Sequence, residues 1–76
     1  MTMAETVYTT TTTLDKISGE RVLSVDAGTG TLVVACKHGA AWIDMKTYAA
    51  DNVETIEFGI NRTYRFTLTG DATFAL

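Results

Sequence analysis

The sequence has no proline, and its 76 residues include a single cysteine, Cys36. One cysteine cannot form an intrachain disulfide, and one cysteine with one histidine cannot make a closed zinc site. Chains below roughly 80 residues seldom gain more than about 3–5 kcal/mol from their own core, and usually add a disulfide, a metal or a partner. Since the first two are excluded, we expect a homo-oligomer or a permanent place in a larger assembly, and no cofactor.

Basic charge and long apolar runs are also scarce. Six Lys and Arg residues against nine Asp and Glu residues give a net charge of −3, and the charges are scattered, whereas a nucleic-acid binder shows a basic face. The same balance argues against an anionic membrane surface as partner. Residues 1–5 lack the regions that define a signal peptide. We therefore expect synthesis in a cytosol, a reduced thiol, and neither a nucleic acid nor a membrane as partner.

Threonine, by contrast, is abundant, with fifteen residues, and β-branched side chains favour extended backbone. Turn signals recur every 8–12 residues, as in an all-β domain. We expect a single domain over residues 1–76, a small antiparallel β-sandwich or barrel of six to seven short strands. The expected strands are residues 5–14, 20–27, 31–36, 40–47, 52–60, 62–69 and 72–76, with turns or short loops at 15–19, 28–30, 37–39 and 59–62.

The clearest pattern covers residues 62–76. Apolar and polar residues alternate on both sides of Gly70-Asp71, a dipeptide suited to a tight hairpin turn because glycine accepts positive φ. We expect a β-hairpin, since an apolar period of two places one face of each strand in a core. The same periodicity in the preceding segments predicts further inward residues. The predicted inward set is Leu23, Val25, Ala27, Ile56, Phe58, Ile60, Tyr64, Phe66, Leu68, Ala72, Phe74 and Leu76.

The N-terminal threonine tract leaves two arrangements open. Five consecutive threonines, Thr9–Thr13, specify strand register poorly because neither face is apolar. Residues 5–14 are therefore predicted as an edge strand of their own domain, with residues 1–14 as an extended or exchanged arm in the alternative.

Residues 40–51 also fit two patterns. A strand over 40–47 would place Ala41, Ile43 and Met45 on one face and Trp42 on the other. A helix would place four residues on one face at i, i+3, i+4 and i+7, namely Trp42, Met45, Lys46 and Ala49. The all-β rhythm favours the strand, with a short helical turn near 47–50 as an addition.

No stretch carries a catalytic or metal-binding signature. Gly28-Thr29-Gly30 could approach a phosphate, but the phosphate-binding fingerprint needs a third glycine and a following helix, so we predict a hairpin turn. Cys36 and His38 would point to the same side of a strand, yet no acid is placed in sequence to orient the imidazole. The acidic residues are spread one per strand or turn. We expect no enzyme activity, no metal and no small-molecule substrate.

Aromatic residues and arginine are the types that anchor protein interfaces. On that argument the candidate interface residues are Trp42, Tyr48, Tyr8 and Arg65. For Trp42, a place in the core of a sandwich remains an equal alternative.

Residues 62–72, with the sequence RTYRFTLTGDA, resemble β-hairpins of small virion-associated proteins of tailed bacteriophages, which are decoration, neck or tail accessory subunits. The resemblance implies a non-enzymatic structural subunit of a virion, made in the host cytoplasm, that forms homo-oligomers and docks on other virion proteins of a capsid or tail. Arg65 and the threonines would form the polar face. The alternative is a soluble binding module that recognises a peptide or carbohydrate through Trp42 and Tyr48.

Overall fold

The computed structural model describes residues 6–76. Within them, six antiparallel strands form one strongly curled sheet, 73% of the residues are strand and none is helical. The predicted all-β antiparallel class is therefore confirmed. The strands are β1 (Val7–Tyr8), β2 (Thr12–Asp26), β3 (Leu32–His38), β4 (Ala41–Tyr48), β5 (Asn52–Leu68) and β6 (Thr73–Ala75). Their order in the sheet is β1-β6-β2-β5-β3-β4.

Two long strands organise the sheet. β2 has 15 residues and β5 has 17, and they pair from Thr12–Phe66 at one end to Val25–Asn52 at the other. The predicted breaks at residues 15–19 and 59–62 are wrong, because both segments lie inside these strands and bend them without ending them. The register shifts on either side of Ile17 mark bulges, which bend a strand and increase its twist.

The curled sheet has two halves, and each long strand contributes one of its ends to each half. β6 and β1 extend the sheet beside the C-terminal end of β2, through pairs such as Ser24–Ala75. β3 and β4 extend it beside the C-terminal end of β5, through pairs such as Cys36–Tyr64. Because the strands bend between these ends, the inner faces of the two halves meet and enclose the core.

Aromatic side chains fill the space between the halves. Phe66 of one half stacks on Phe74 of the other, with ring centroids 4.8 Å apart, and Phe58 meets Tyr64 edge-on at 4.8 Å. The fully buried side chains confirm the inward phase predicted for most strands. The core residues are Leu23, Val25, Ala27, Leu32, Val34, Tyr48, Phe58, Tyr64, Phe66 and Phe74.

Ile60 is the clear exception, since 78% of it is exposed although it was predicted to face inward. It precedes Asn61, whose φ of 61° is left-handed, and three residues of β5 lie between the paired Phe58 and Arg62. Extra residues at a bulge interrupt the alternation of inward and outward side chains, so the alternation that precedes the bulge does not extend to Ile60.

The predicted hairpin over residues 62–76 is wrong. β6 pairs with β2 and with β1, not with β5, and the turn at Thr69–Ala72 carries the chain to the opposite half of the curl. Gly70 does adopt the positive φ expected of it, 60°. The alternation predicted the two strands and the turn between them, but it did not predict which strands they pair with. Inward residues of two strands can lie side by side in one half of the sheet or face each other across the core.

The strand alternative for residues 40–51 is correct, and neither the helix nor the short helical turn forms. β4 pairs with β3 around a turn at Gly39-Ala40. Val34 lies opposite Lys46 and Ala35 opposite Asp44, which leaves Met45 as the extra residue of a bulge. The bulge breaks the predicted common face of Ala41, Ile43 and Met45.

Two further predictions concern connections. Gly28-Thr29-Gly30 is a turn, but not the predicted hairpin turn, since β2 and β3 do not pair. In the N-terminal segment, Val7 and Tyr8 pair with β6 of the same chain, and residues 12–14 pair with β5. Those residues therefore belong to their own sheet, while residues 1–5 of the predicted arm lie outside the described residues.

Candidate interaction surface

The outer face of the β3–β4–β5 half brings together two of the four residues predicted for an interface. Lys37 lies opposite Trp42, and Arg65 lies opposite Ala35. The guanidinium carbon of Arg65 is 4.5 Å from the centroid of the Trp42 ring, and the Lys37 ammonium is 5.9 Å from it. Both distances are within cation–π range. We call Trp42, Arg65 and Lys37 the cation–indole cluster.

Neither cation of this cluster has a carboxylate partner within the described part of the chain, where the one ion pair is Lys46–Glu54. The Nε atom of Arg65 is buried and has no hydrogen-bond acceptor there. Buried polar atoms are usually satisfied, and an unsatisfied one costs free energy. The indole ring attracts the guanidinium charge, but it supplies no oxygen acceptor, so the cluster is electrostatically incomplete within residues 6–76.

Tyr48 lies on the other side of the sheet, in the core. Its hydroxyl donates to a carboxylate oxygen of Glu54 at 2.6 Å, and the Lys46 ammonium donates to the same oxygen at 2.8 Å. Hydrogen bonds from Lys46 and Tyr48 hold the pKa of Glu54 below its usual value, while burial and the bond to Glu54 raise the pKa of Tyr48. Tyr48 therefore joins β4 to β5 inside the fold and leaves only 5% of its surface exposed.

Tyr8 also packs inward. It is half-buried and stacks on Phe74 with centroids 4.7 Å apart, so it closes one end of the aromatic core. Its neighbour Val7 points to the outer face. Of the four predicted interface residues, the structure thus places Trp42 and Arg65 together on one surface and assigns Tyr48 and Tyr8 to packing.

A second surface lies on the outer face of the other half. Val7 is opposite Ala75, Ala75 opposite Ser24, and Ser24 opposite Val53, so one row crosses four strands. Val22 lies two residues before Ser24 on the same face of β2, next to the paired Ser24 and Val53. Three of these side chains are well exposed: Val7 at 64%, Val22 at 53% and Val53 at 67%.

We call Val7, Val22, Val53, Ala75 and Ser24 the outer valine face. Sequence reasoning did not identify it. The alternation along β2 does indicate part of it, because buried Leu23 and Val25 require Val22 and Ser24 to point outward. The cross-strand alignment with Val7 and Val53 depends on register, which the sequence does not state.

Hydrogen bonds join the glycine-containing turn at residues 28–31 to the one at residues 69–72. The Asp71 carboxylate accepts hydrogen bonds from the Thr29 backbone N–H at 2.7 Å and from the Thr29 hydroxyl at 3.0 Å. These two bonds hold the pKa of Asp71 below its usual value. Thr31 and Thr69 are joined through backbone and hydroxyl groups. We call residues 28–31 with residues 69–72 the turn clasp; its Thr29 N–H already has an acceptor, which leaves the phosphate interpretation without support.

The other residues considered for catalysis or metal binding do not form a site within the described residues. Cys36 is half-buried with a free thiol, and His38 is exposed at the end of β3. Over residues 6–76, no three His, Cys, Asp or Glu side chains converge as metal ligands. That same range contains no helix able to cross a membrane.

No protein-family model, curated protein or solved structure matches this chain.

Proposed function

We propose that this protein is a non-enzymatic structural subunit that associates with further copies of itself and with a larger assembly. The observation that carries the proposal is the outer valine face. Exposed apolar groups scattered singly are ordinary, whereas a contiguous apolar patch marks an interaction surface. Here three exposed valines lie on one face of four neighbouring strands, and covering them would withdraw apolar area from water.

Chain length supports the same proposal. A chain of 76 residues without a disulfide buries only about 60% of the surface that its unfolded form exposes. Burial between subunits adds apolar area that the monomer cannot supply. Most soluble oligomers are symmetric assemblies of identical chains, and one repeated surface is enough to build them.

The finer part of the proposal places the subunit in a bacteriophage virion, docked on a capsid or tail. It rests on the sequence resemblance of residues 62–72. That segment folds as the end of β5 and a turn and not as a hairpin, so the resemblance is one of sequence alone. The alternative of a peptide- or carbohydrate-binding module relied on Trp42 and Tyr48 together, and the burial of Tyr48 separates the pair.

The test is the solution mass, measured by light scattering on a size-exclusion column at two concentrations. We expect an oligomer whose population falls on dilution, and we expect Val53→Lys to weaken self-association by roughly tenfold or more, because a charge would be buried at an apolar contact. Ile60→Lys is the matched control, since Ile60 is at least as exposed but lies off the outer valine face. A wild-type chain that stays monomeric at both concentrations would overturn the self-association.

A further inference from the structure

A pair of glutamates complements the unpaired cations of the cation–indole cluster. Glu20 of β2 lies directly opposite Glu57 of β5, and both are exposed. They share the outer face of Val22, because inward residues alternate with outward ones along β2. Like charges directly opposite one another destabilise a strand pair, and neither glutamate has a cation within ion-pair distance over residues 6–76.

The chain therefore displays two unneutralised charge pairs on its two outer faces. Arg65 and Lys37 lie on the β3–β4–β5 half, flanked by Trp42. Glu20 and Glu57 lie on the other half, beside the outer valine face. Trp42 borders the first pair and Val22 lies two residues from Glu20 on the second surface, so each surface combines a charged part with an apolar part.

We propose that the cation–indole cluster of one copy receives Glu20 and Glu57 of a second copy, which brings the outer valine face of the second copy against Trp42. The inference deepens the proposed self-association and rests on it. An arginine guanidinium offers a fork of N–H donors that matches a carboxylate. The incoming carboxylates would supply oxygen acceptors that the indole ring does not.

A second copy is the favoured occupant because each chain carries both halves of the contact. The side chains proposed to meet carry opposite charge, Lys37 and Arg65 against Glu20 and Glu57, and Asp44, in the same cross-strand row as Arg65, borders the cations. Contacts of this kind join one surface to a different surface of the next copy, so they close into a ring where the rotation between copies allows it and otherwise continue as an open filament.

The first test is a zero-length cross-link. A carbodiimide joins a lysine amine to a carboxylate, and Lys37 is the only amine of the cluster. In a mixture of unlabelled and heavy-nitrogen copies, we expect mixed-mass peptides that join Lys37 to Glu20 or Glu57. The ion pair Lys46–Glu54, at 2.8 Å within one chain, is the internal positive control. Efficient Lys46–Glu54 links without any mixed-mass Lys37 link would overturn the inference.

The second test exchanges charges. Glu20→Lys with Glu57→Lys should weaken association by roughly tenfold or more, since like charges then face each other. Lys37→Glu with Arg65→Gln should do the same while it keeps a planar group against Trp42. Mixing the two variants should restore association, because the charges are complementary again. Lys16→Glu with Arg62→Gln, the same charge change at exposed positions elsewhere, should leave association unchanged.

The outcomes separate the two proposals. A wild-type oligomer that survives both charge exchanges would overturn this contact and leave self-association through the valines standing. A wild-type monomer would overturn both. Weakening by each double variant without recovery in the mixture would also count against the contact, since it would indicate damage to the surfaces and not a lost charge pairing.

Discussion

In two regions of the molecule the chain changes direction at glycines, and the two regions are stabilised in different ways. One is the turn clasp, and the other is the bend of the long strand β2 around Gly19. In the clasp, Gly30 and Gly70 bring two backbones into direct contact, and the Asp71 carboxylate is bonded to the opposite turn. At the bend, Gly19 has a φ of 81°, and a Cβ there would meet no atom within 4 Å. Position 30 of the clasp needs glycine because there is no room for a side chain, whereas position 19 of the bend needs it for its backbone conformation.

This difference predicts unequal effects of the same substitution, and the largest belongs to Gly30→Ala. A Cβ at this position would overlap the carbonyl oxygen of Thr69, and both sides of the contact are backbone, so no flexible side chain can move aside. We expect a loss of more than about 4 kcal/mol in the free energy of unfolding, comparable with the whole stability of a domain this small. Urea denaturation followed by far-ultraviolet circular dichroism measures it. A wild-type midpoint would show that the clasp is not close-packed.

Asp71→Ala should have an intermediate effect, because it removes two hydrogen bonds of the clasp without creating an overlap. The pKa of Asp71 is lowered in the folded state, so its contribution is fully present above the unfolded pKa, about 3.9, and is lost as pH falls through the folded pKa. We expect a lower melting temperature at pH 7 and a difference from wild type that shrinks in acid.

Glu54→Gln is the control for that pH dependence. Its pKa is lowered too, by hydrogen bonds from Lys46 and Tyr48, but it shares no hydrogen-bond partner with Asp71. A double variant should therefore show additive losses. If the difference between Asp71→Ala and wild type were independent of pH, the ionised Asp71 would not be the stabilising species.

Gly19→Ala should have the smallest effect of the three. Its Cβ would meet no atom within 4 Å, and the cost is confined to the left-handed backbone, about 1–2 kcal/mol. Gly19→Asn should lose less, since asparagine tolerates this conformation better than alanine. Thermal melts of the two variants make the comparison. A loss as large as that of Gly30→Ala would erase the distinction between the clasp and the bend.

The inward phase of most strands could be predicted from the sequence alone. Leu23, Val25, Phe58, Tyr64 and Phe66 alternate with polar residues, and all five are buried. A period of two indicates only which side of a strand faces the core. It does not indicate whether the next strand is a hydrogen-bonded neighbour in the sheet or lies on the opposite side of the core. The hairpin predicted for residues 62–76 is wrong for that reason.

The candidate surfaces were only partly predictable. Residue type predicts Trp42 and Arg65 as interface anchors, and the structure stacks one on the other. Residue type predicts Tyr48 equally, yet Tyr48 is buried, because the bulge at Met45 changes which residues of β4 face inward. The outer valine face is not predictable from local sequence, since its members come from four strands and meet only through register.

The sequence by itself determined that this protein is built from antiparallel strands, which side of most strands faces the core, and that neither an intrachain disulfide nor a closed zinc site within one chain can stabilise it. These properties follow from local periodicity and composition. Only the tertiary structure decided that residues 15–19 and 59–62 bend two long strands, that β6 pairs with β2, and that Glu20 meets Glu57. Register, bulges and the curl of the sheet are set by contacts between residues far apart in the chain, and short-range sequence patterns carry little information about them.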